Sequence, residues 1–294
     1  MKALLLVLSL LFITNAIASI KIVEILNDEE ILLLASDGLV YELKTDDNAE
    51  INFAYEAMES QLDVELKKPL INLKRIFDER EIVTGFKKVQ TETPKNITFN
   101  NQKSSVPTPL NNFEVTSVGS FEDSKSLFKT MTTRTKRRSQ CYNRAHVWSH
   151  RLSKVEVAGK KLNLGKTWIF FSRKYIKEYK YKWWFHIAPY IKLQGENGPY
   201  VMDRKFTREP LKLQGWTNVF MKNNAQCKEV IYYSDYRQNQ GQAWCFIIKS
   251  SMYYWQPKNI EALEAGAEEK KSFVESELRK AYKDAVKRWN GELE

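Results

Sequence analysis

Apolar and polar residues follow one another in short stretches along this chain, and that pattern predicts strands more often than helices. Three predicted strands lie near the start: IKIVEIL (20–26), EEILLLA (29–35) and LVYELKT (39–45). A polar helix is predicted after them at INFAYEAMESQ (51–61). Five more strands are predicted further on: KTWIFF (166–171), WWFHIAPYIKL (183–193), GPYVMDRKF (198–206), EVIYYSDY (229–236) and AWCFIIKSSMYYW (243–255). The turn sequence GENG (195–198) joins two of these into a predicted antiparallel hairpin.

Helical spacing of apolar residues predicts three further segments. SFEDSKSLFKTM (120–131) starts with Ser120, a favourable N-cap, and has one apolar side. A helix beginning at or near Cys141 is predicted by residues spaced four, three and four apart: Cys141, Ala145, Trp148 and Leu152. The tail from Asn259 to Asn290 carries an apolar stripe at helical spacing and predicts a helix that packs on the rest of the chain.

The order of these elements predicts an α+β fold in several segments. Residues 93–112 are rich in Asn, Ser, Thr and Pro without an apolar period, which is typical of a linker. The linker would separate an N-terminal α/β region (19–92) from a larger region (113–256), which the C-terminal helix (257–294) follows. Within the larger region we expect the Cys141 helix to pack on an antiparallel sheet.

The first 18 residues predict a cleaved signal peptide. A lysine at position 2 precedes the apolar run 3–13, and Ala-Ile-Ala (16–18) has the small-x-small form of a cleavage site. A membrane anchor is the alternative, but a spanning helix needs about 20 apolar residues. We therefore expect a secreted or periplasmic protein without stable membrane insertion.

Three cysteines in an exported protein predict one disulfide and one remaining thiol. Cys227, in the strand-like stretch NAQCKEVIYY, and Cys245, in QAWCFIIK, lie close together in the sequence, so their pairing is expected. Cys141 is then the unpaired cysteine.

The net charge of +10 does not by itself identify a binding partner. Basic residues are interleaved with acidic ones, which fits either attraction to acidic surfaces or plain solubility. The densest cluster, TRTKRR (133–138), is not accompanied by a DNA- or RNA-binding motif, so we do not expect nucleic-acid binding.

The residue order Cys141, His186, Asp203 suggests a nucleophilic site. A thiol attacks as the thiolate, which the start of a helix stabilises, and it needs a histidine base oriented by a third polar group. The predicted hairpin places Asp203 on the strand beside His186, and a carboxylate in an apolar stretch is costly unless it is paired. A Cys-His-Asp triad is a workable interpretation of this spacing.

Two other histidines, His146 and His150, are four residues apart on the Cys141 helix. That spacing suits metal ligands, but a third or fourth ligand, an HExxH motif and a CxxC motif are missing from the sequence, so no metal is expected. His146 lies about 140° around the helix from Cys141 and is a poor partner for the thiol. We interpret both as histidines hydrogen-bonded in or near the surface.

Several segments resemble the bacterial protein-glutamine glutaminases, a family of protein deamidases. QCYNRAHVWSHRL (140–152) is similar to the family's nucleophile helix, WWFHIAPYIK to its histidine strand and YVMDRKF to its aspartate segment. SLFKTM and PLKLQGW also resemble family segments, so the similarity extends from about Phe121 to Trp216. The sequence departs from the family at Arg204-Lys205, where the family has Pro-Ser, and at Val147-Trp148 on the helix.

The resemblance implies a transglutaminase-like, papain-type core with catalytic roles for Cys141, His186 and Asp203. It also implies deamidation of protein-bound glutamine to glutamate through a thioester, with release of ammonia and without a cofactor. A pro-segment that covers the cleft until proteolysis is a further family property, which the region 19–92 fits as an inhibitory partner. An ordinary accessory domain is the alternative for that region.

Residues around the proposed triad receive provisional roles. The backbone of Cys141 and the side chain of Gln140 are candidate oxyanion donors. Trp183, Trp184 and Tyr190 are candidate walls of a substrate cleft, although most such aromatics are core residues.

We expect a monomer that acts on glutamine-bearing proteins or peptides. Transglutamination or peptide cleavage by the same triad, and a non-catalytic secreted binding protein, remain the alternatives.

Overall fold

The structure is a computed structural model that describes residues 19–27, 30–67, 80–89, 113–131, 141–157 and 159–264. The predicted signal peptide, the linker, Gln140 and the chain beyond residue 264 lie outside the described residues. Within the described ranges, no helix is long and apolar enough to cross a membrane.

In the N-terminal region, the described residues form one helix and six strands in two small sheets. Its elements are β1 (Ile22–Asn27), β2 (Ile31–Ala35), β3 (Val40–Leu43), α1 (Asn48–Glu59), β4 (Val64–Lys67), β5 (Glu81–Val83) and β6 (Gly85–Lys88). One sheet has the order β1-β2-β3-β5, and β4 pairs with β6. Asp47 caps α1 by accepting a hydrogen bond from the backbone N–H of Ala49, which satisfies a free donor at the helix start.

The remainder of the described chain is built around one seven-stranded sheet. Its elements are β7 (Ser117–Val118), α2 (Phe121–Thr130), α3 (Cys141–Leu152), β8 (Glu156–Val157), β9 (Lys160–Lys161), β10 (Gly165–Phe171), α4 (Arg173–Glu178), β11 (Phe185–Leu193), β12 (Tyr200–Val201), β13 (Leu211–Lys212), α5 (Leu213–Asn218), β14 (Lys228–Glu229), α6 (Tyr233–Gln238), β15 (Cys245–Ser251) and α7 (Pro257–Glu264). The strand order is β13-β12-β11-β10-β15-β14, and β7 pairs with β11. Strands β8 and β9 form a separate pair.

The fold is therefore a mixed α+β arrangement, as the sequence predicts. All seven residues of β10 are buried, because β11 and β15 flank this strand within the sheet and helices cover the sheet. Helix α3 packs against β11. This contact brings the start of the helix to the strand that carries His186.

Several local predictions are confirmed. Helix α3 begins at Cys141, and Ser120 caps α2 by accepting a hydrogen bond from the Asp123 backbone N–H at 3.1 Å. The hairpin is present, with Tyr190 opposite Val201 in antiparallel register. Its turn has positive φ angles at both glycines of GENG, 74° at position 195 and 90° at position 198, which side chains disfavour.

The strand prediction for 229–236 is wrong beyond Glu229. The chain forms α6 from Tyr233 to Gln238. Tyr233 and Tyr236, three residues apart, lie on one helical face and both pack on Phe170, with ring centroids 5.3 and 4.7 Å away. The aromatic composition suggested a strand, but burial of this pair against the sheet favours the helical spacing.

Candidate active site

Cys141 is the first residue of α3 and is 8% exposed. It is the only free cysteine among the described residues, because Cys227 and Cys245 form a disulfide, the pairing expected from the sequence. The first turn of a helix leaves backbone N–H groups without partners inside the helix, and their partial positive charge stabilises an anion. The position of Cys141 therefore suits a thiolate.

His186 and Asp203 form a buried pair beside this thiol. His186 lies on β11 opposite Ile169 of β10, and Asp203 lies two residues after the end of β12. His186 Nε2 is 2.7 Å from Asp203 Oδ2, and the two residues are 2% and 1% exposed. Because Nε2 is engaged with the carboxylate, the other ring nitrogen is left for Cys141, which lies close enough to His186 to help raise the pKa of the imidazole.

The electrostatics of the pair favour the charged forms of both groups. Burial by itself lowers the pKa of His186, but the Asp203 charge, the Asp203 hydrogen bond and Cys141 outweigh it and raise the pKa to about 9. Burial raises the pKa of Asp203, yet His186, the Trp216 N–H and the Arg144 charge together hold it below its usual value. At neutral pH the site therefore contains an imidazolium and a carboxylate.

Four aromatic rings surround the imidazole. The centroids of Trp183, Phe206, Trp216 and Phe220 lie 5.7, 5.0, 5.8 and 4.6 Å from that of His186. Trp183 and Trp216 stack on the ring, at interplanar angles of 20° and 29°. These rings exclude water from the pair, which strengthens its electrostatic interactions.

The other residues singled out in the sequence lie in different surroundings. Of the three candidate cleft walls, Trp183 contacts His186, whereas the indole N–H of Trp184 donates to the Ala35 carbonyl of the N-terminal region at 2.8 Å. Tyr190 lies four residues along β11 from His186 and packs over Gly165. The roles of these aromatics as cleft walls, and that of Gln140 as an oxyanion donor, stay predictions.

His146 is completely buried, so the interpretation of a histidine in or near the surface is wrong for it. Its Nδ1 is 2.7 Å from Nζ of Lys166, a buried lysine of β10 that also donates to the Tyr254 carbonyl at 2.6 Å. Burial holds the pKa of Lys166 well below its usual value. His150 is half-buried, and burial and then the nearby Lys154 lower its pKa.

No group of three or more His, Cys, Asp or Glu side chains that could hold a metal ion lies within the part of the chain that the structure describes.

Two residues at the site received no role from the sequence. Trp216 on α5 donates its indole N–H to Asp203 Oδ2 at 3.0 Å. Its segment PLKLQGW resembled a family segment, but the sequence suggested no role for Trp216 itself.

Arg144 follows Cys141 by three residues, so it lies on the same side of α3. It is buried, its charge acts on Asp203, and its guanidinium carbon is 5.9 Å from the Phe206 ring centroid. The sequence signal that could have identified it is its position three residues after Cys141, on the same side of the predicted helix.

The N-terminal region lies against the site through the β2–β3 turn. The Gly38 carbonyl accepts a hydrogen bond from the Trp184 backbone N–H at 3.1 Å, and Val40 N–H donates to the Lys182 carbonyl at 2.7 Å. Leu39 forms an isolated β-bridge with Trp183, the residue that stacks on His186. This turn thus covers the end of β11 next to the imidazole.

The geometry is that of a buried thiol–imidazole–carboxylate arrangement on an α+β fold, which suits nucleophilic attack on a carbonyl carbon. Residues 121–220, 100 of the 294 in the chain, match a family model described as glutaminase. The match agrees with the resemblance found in the sequence over this segment.

Comparison with solved structures gives weaker likenesses. A pro-protein-glutaminase is 14% identical with a TM-score of 0.48, over 83% of this chain and 85% of that chain. A mutant of pro-protein-glutaminase is 13% identical with a TM-score of 0.47, over 82% of this chain and 85% of that chain. Protein-glutaminase from Chryseobacterium proteolyticum is 14% identical with a TM-score of 0.32, over 50% of this chain and 80% of that chain. No curated protein matches the chain.

Proposed function

We propose that the protein hydrolyses the side-chain amide of glutamine in proteins, using Cys141, His186 and Asp203 as its catalytic triad. The observation that supports this most is the His186–Asp203 contact of 2.7 Å beside the unpaired thiol at the start of α3. The glutaminase match over 121–220 spans all three residues. A transglutaminase-like core is the corresponding proposal for the fold.

The reaction follows from the roles these groups can fill. The Cys141 thiolate attacks the carboxamide carbon, and the oxyanion is held by backbone N–H groups at the helix start, with Gln140 as a candidate donor. The His186 imidazolium gives its proton to the leaving ammonia, which produces a thioester and a neutral imidazole. His186 then takes a proton from water as that water attacks the thioester, and breaking the C–S bond releases the γ-carboxylic acid and restores the Cys141 thiolate beside the His186 imidazolium; the acid loses its proton to solvent and becomes glutamate. Asp203 keeps the imidazole oriented and stabilises its charged form.

The test measures ammonia release from casein by the proteolytically processed protein. We expect Cys141→Ala and His186→Gln to abolish release, because each removes a group that bonds or exchanges protons with the substrate. His150→Gln is the matched control, since it makes the same change on a half-buried histidine at the far end of α3, and it should retain activity. Unchanged release by Cys141→Ala would disprove the proposal.

Mass spectrometry of the substrate distinguishes the related reactions. Deamidation adds about one dalton at each modified glutamine. Cross-linked products would instead indicate transglutamination, and new N-termini would indicate peptide cleavage.

We further propose that the protein is exported and made as a zymogen, with residues 19–92 as the inhibitory segment and 93–112 as the site of processing. The disulfide fits an oxidising compartment. The contact of the β2–β3 turn with the end of β11, and separately the low exposure of Cys141, support an inhibitory role.

A further inference from the structure

Trp216 contacts both members of the buried pair. Its indole N–H donates to Asp203 Oδ2 at 3.0 Å, and the same oxygen is 2.7 Å from His186 Nε2. Its ring also stacks on the imidazole, with centroids 5.8 Å apart and an interplanar angle of 29°. Trp216 is fully buried, so water cannot replace its N–H at this oxygen.

The orientation of the carboxylate depends on these two bonds. The second oxygen, Oδ1, is buried and has no hydrogen-bond partner among the described residues. A carboxylate bonded only to the imidazole can rotate about its Cβ–Cγ bond, because a single bond at one oxygen does not fix its plane. The indole N–H forms a second hydrogen bond to Oδ2 from a different direction, and the two bonds together limit the rotation of the carboxylate.

We propose that Trp216 is a positioning residue that holds the Asp203 carboxylate in line with His186. The inference rests on the triad proposed above and assigns to Trp216 a role that acts through Asp203. The hydrogen bond of Trp216 goes to Asp203 and not to the substrate, so we expect its loss to change the rate of the chemical steps and to leave the binding of the protein substrate unaltered.

The first arm of the test compares two tryptophan-to-phenylalanine variants. Trp216→Phe removes the N–H and keeps a buried ring, so we expect kcat to fall about ten- to hundred-fold with KM unchanged, as for the loss of a hydrogen bond to a charged group. Trp168→Phe is the matched control. Trp168 is also fully buried and also donates its indole N–H, but to Ser250 Oγ at 2.8 Å. Its variant should keep kcat within about two-fold.

The second arm asks whether Trp216 acts through Asp203. In an Asp203→Asn background the orientation of the imidazole is already impaired, so adding Trp216→Phe should cost little further activity. A full, independent loss in that background would overturn the proposal, because it would mean that Trp216 serves only the packing of the core.

The third arm does not depend on glutaminase activity. In NMR spectra of the full chain, the indole N–H signal of Trp216, assigned with Trp216→Phe, should move upfield in Asp203→Asn. The reason is that an amide oxygen is a weaker acceptor than a carboxylate. The Trp168 signal should stay in place. A Trp216 signal that does not move would overturn the inference, whereas a moved signal without any ammonia release would overturn only the proposed function.

Discussion

At the scale of single residues, the chemistry of the site depends on the charge of His186. The pair with Asp203 and the contact with Cys141 outweigh the cost of burying the imidazolium and raise its pKa to about 9. The charged form is therefore present throughout the neutral range, as the proposed transfer of a proton to leaving ammonia requires.

We expect the pH dependence of ammonia release to reflect this group. Activity should fall as the pH rises through about 9, because His186 then loses the proton that ammonia needs. Asp203→Asn removes the negative charge that raises this pKa, so the midpoint of the fall should move about 1–3 units lower. Initial rates across the pH range give both midpoints, and equal midpoints in the two proteins would contradict the assignment.

Lys166 is a buried residue whose pKa shifts in the direction opposite to that of His186, and the shift affects the stability of the fold. Its pKa is depressed in the folded protein by burial, whereas an exposed lysine in the unfolded chain titrates near 10.4. Between these two values the unfolded chain binds more protons than the folded one, so the free energy of unfolding must rise with pH.

Urea unfolding of the full chain tests this dependence. From about pH 8 to about pH 9, the free energy of unfolding of the natural protein should gain up to about 1.4 kcal/mol relative to Lys166→Met. Lys192→Met, which changes an exposed lysine on β11, should show the same pH dependence as the natural protein. A pH-independent difference between the natural protein and Lys166→Met would mean that Lys166 is charged in the fold.

At the scale of elements, the pairing of β10 with β11 determines where His186 lies. Gly165 is opposite Tyr190 in this pair, and a Cβ at Gly165 would lie 2.3 Å from two atoms of the Tyr190 ring. The ring is buried and cannot move away without disturbing its neighbours. Glycine is needed here because the Tyr190 ring occupies the space of a side chain.

Gly165→Ala should therefore lower the free energy of unfolding by about 1–3 kcal/mol through overpacking. Thermal or urea unfolding measures this loss. Gly241→Ala is the control, because an added Cβ at that exposed position meets no atom within 4 Å. Equal stability of the two variants would show that β10 and β11 can separate without cost.

At the scale of the whole molecule, a buried charged contact of Arg80 is among those that join the N-terminal region to the rest of the described chain. The Arg80 side chain donates to Glu30 at 2.8 Å and to the backbone carbonyl of Ile176 on α4. Arg173 and Glu24 form a second, largely exposed ion pair between the same parts. Buried charged hydrogen bonds are costly to break, whereas exposed ion pairs contribute little.

If the N-terminal region shields the thiol, weakening its docking should expose Cys141. We expect Arg80→Met to increase the rate at which iodoacetamide alkylates Cys141 in the full chain by about ten-fold, since the Ile176 carbonyl loses its donor. Arg173→Met, the same change in the exposed pair, should leave the rate almost unchanged. Equal rates in all three proteins would argue for an accessory domain that does not control the site.

The sequence by itself determined the features that depend on neighbouring residues. The strand that carries His186 followed from a run of aromatic and apolar residues, the hairpin leading to Asp203 followed from the GENG turn, and the helix start at Cys141 followed from apolar spacing. These features are local because backbone geometry, turn chemistry and one buried face are enough to specify them.

The tertiary structure alone decided which distant side chains meet. It brought the indole of Trp216 to Asp203, buried Lys166 against His146, and turned the segment after Glu229 into a helix. It also placed Arg80 on a carbonyl 96 residues away. Such contacts depend on how the elements pack, and burial gives them their energies by removing water from the interacting groups, so no local pattern in the sequence specifies them.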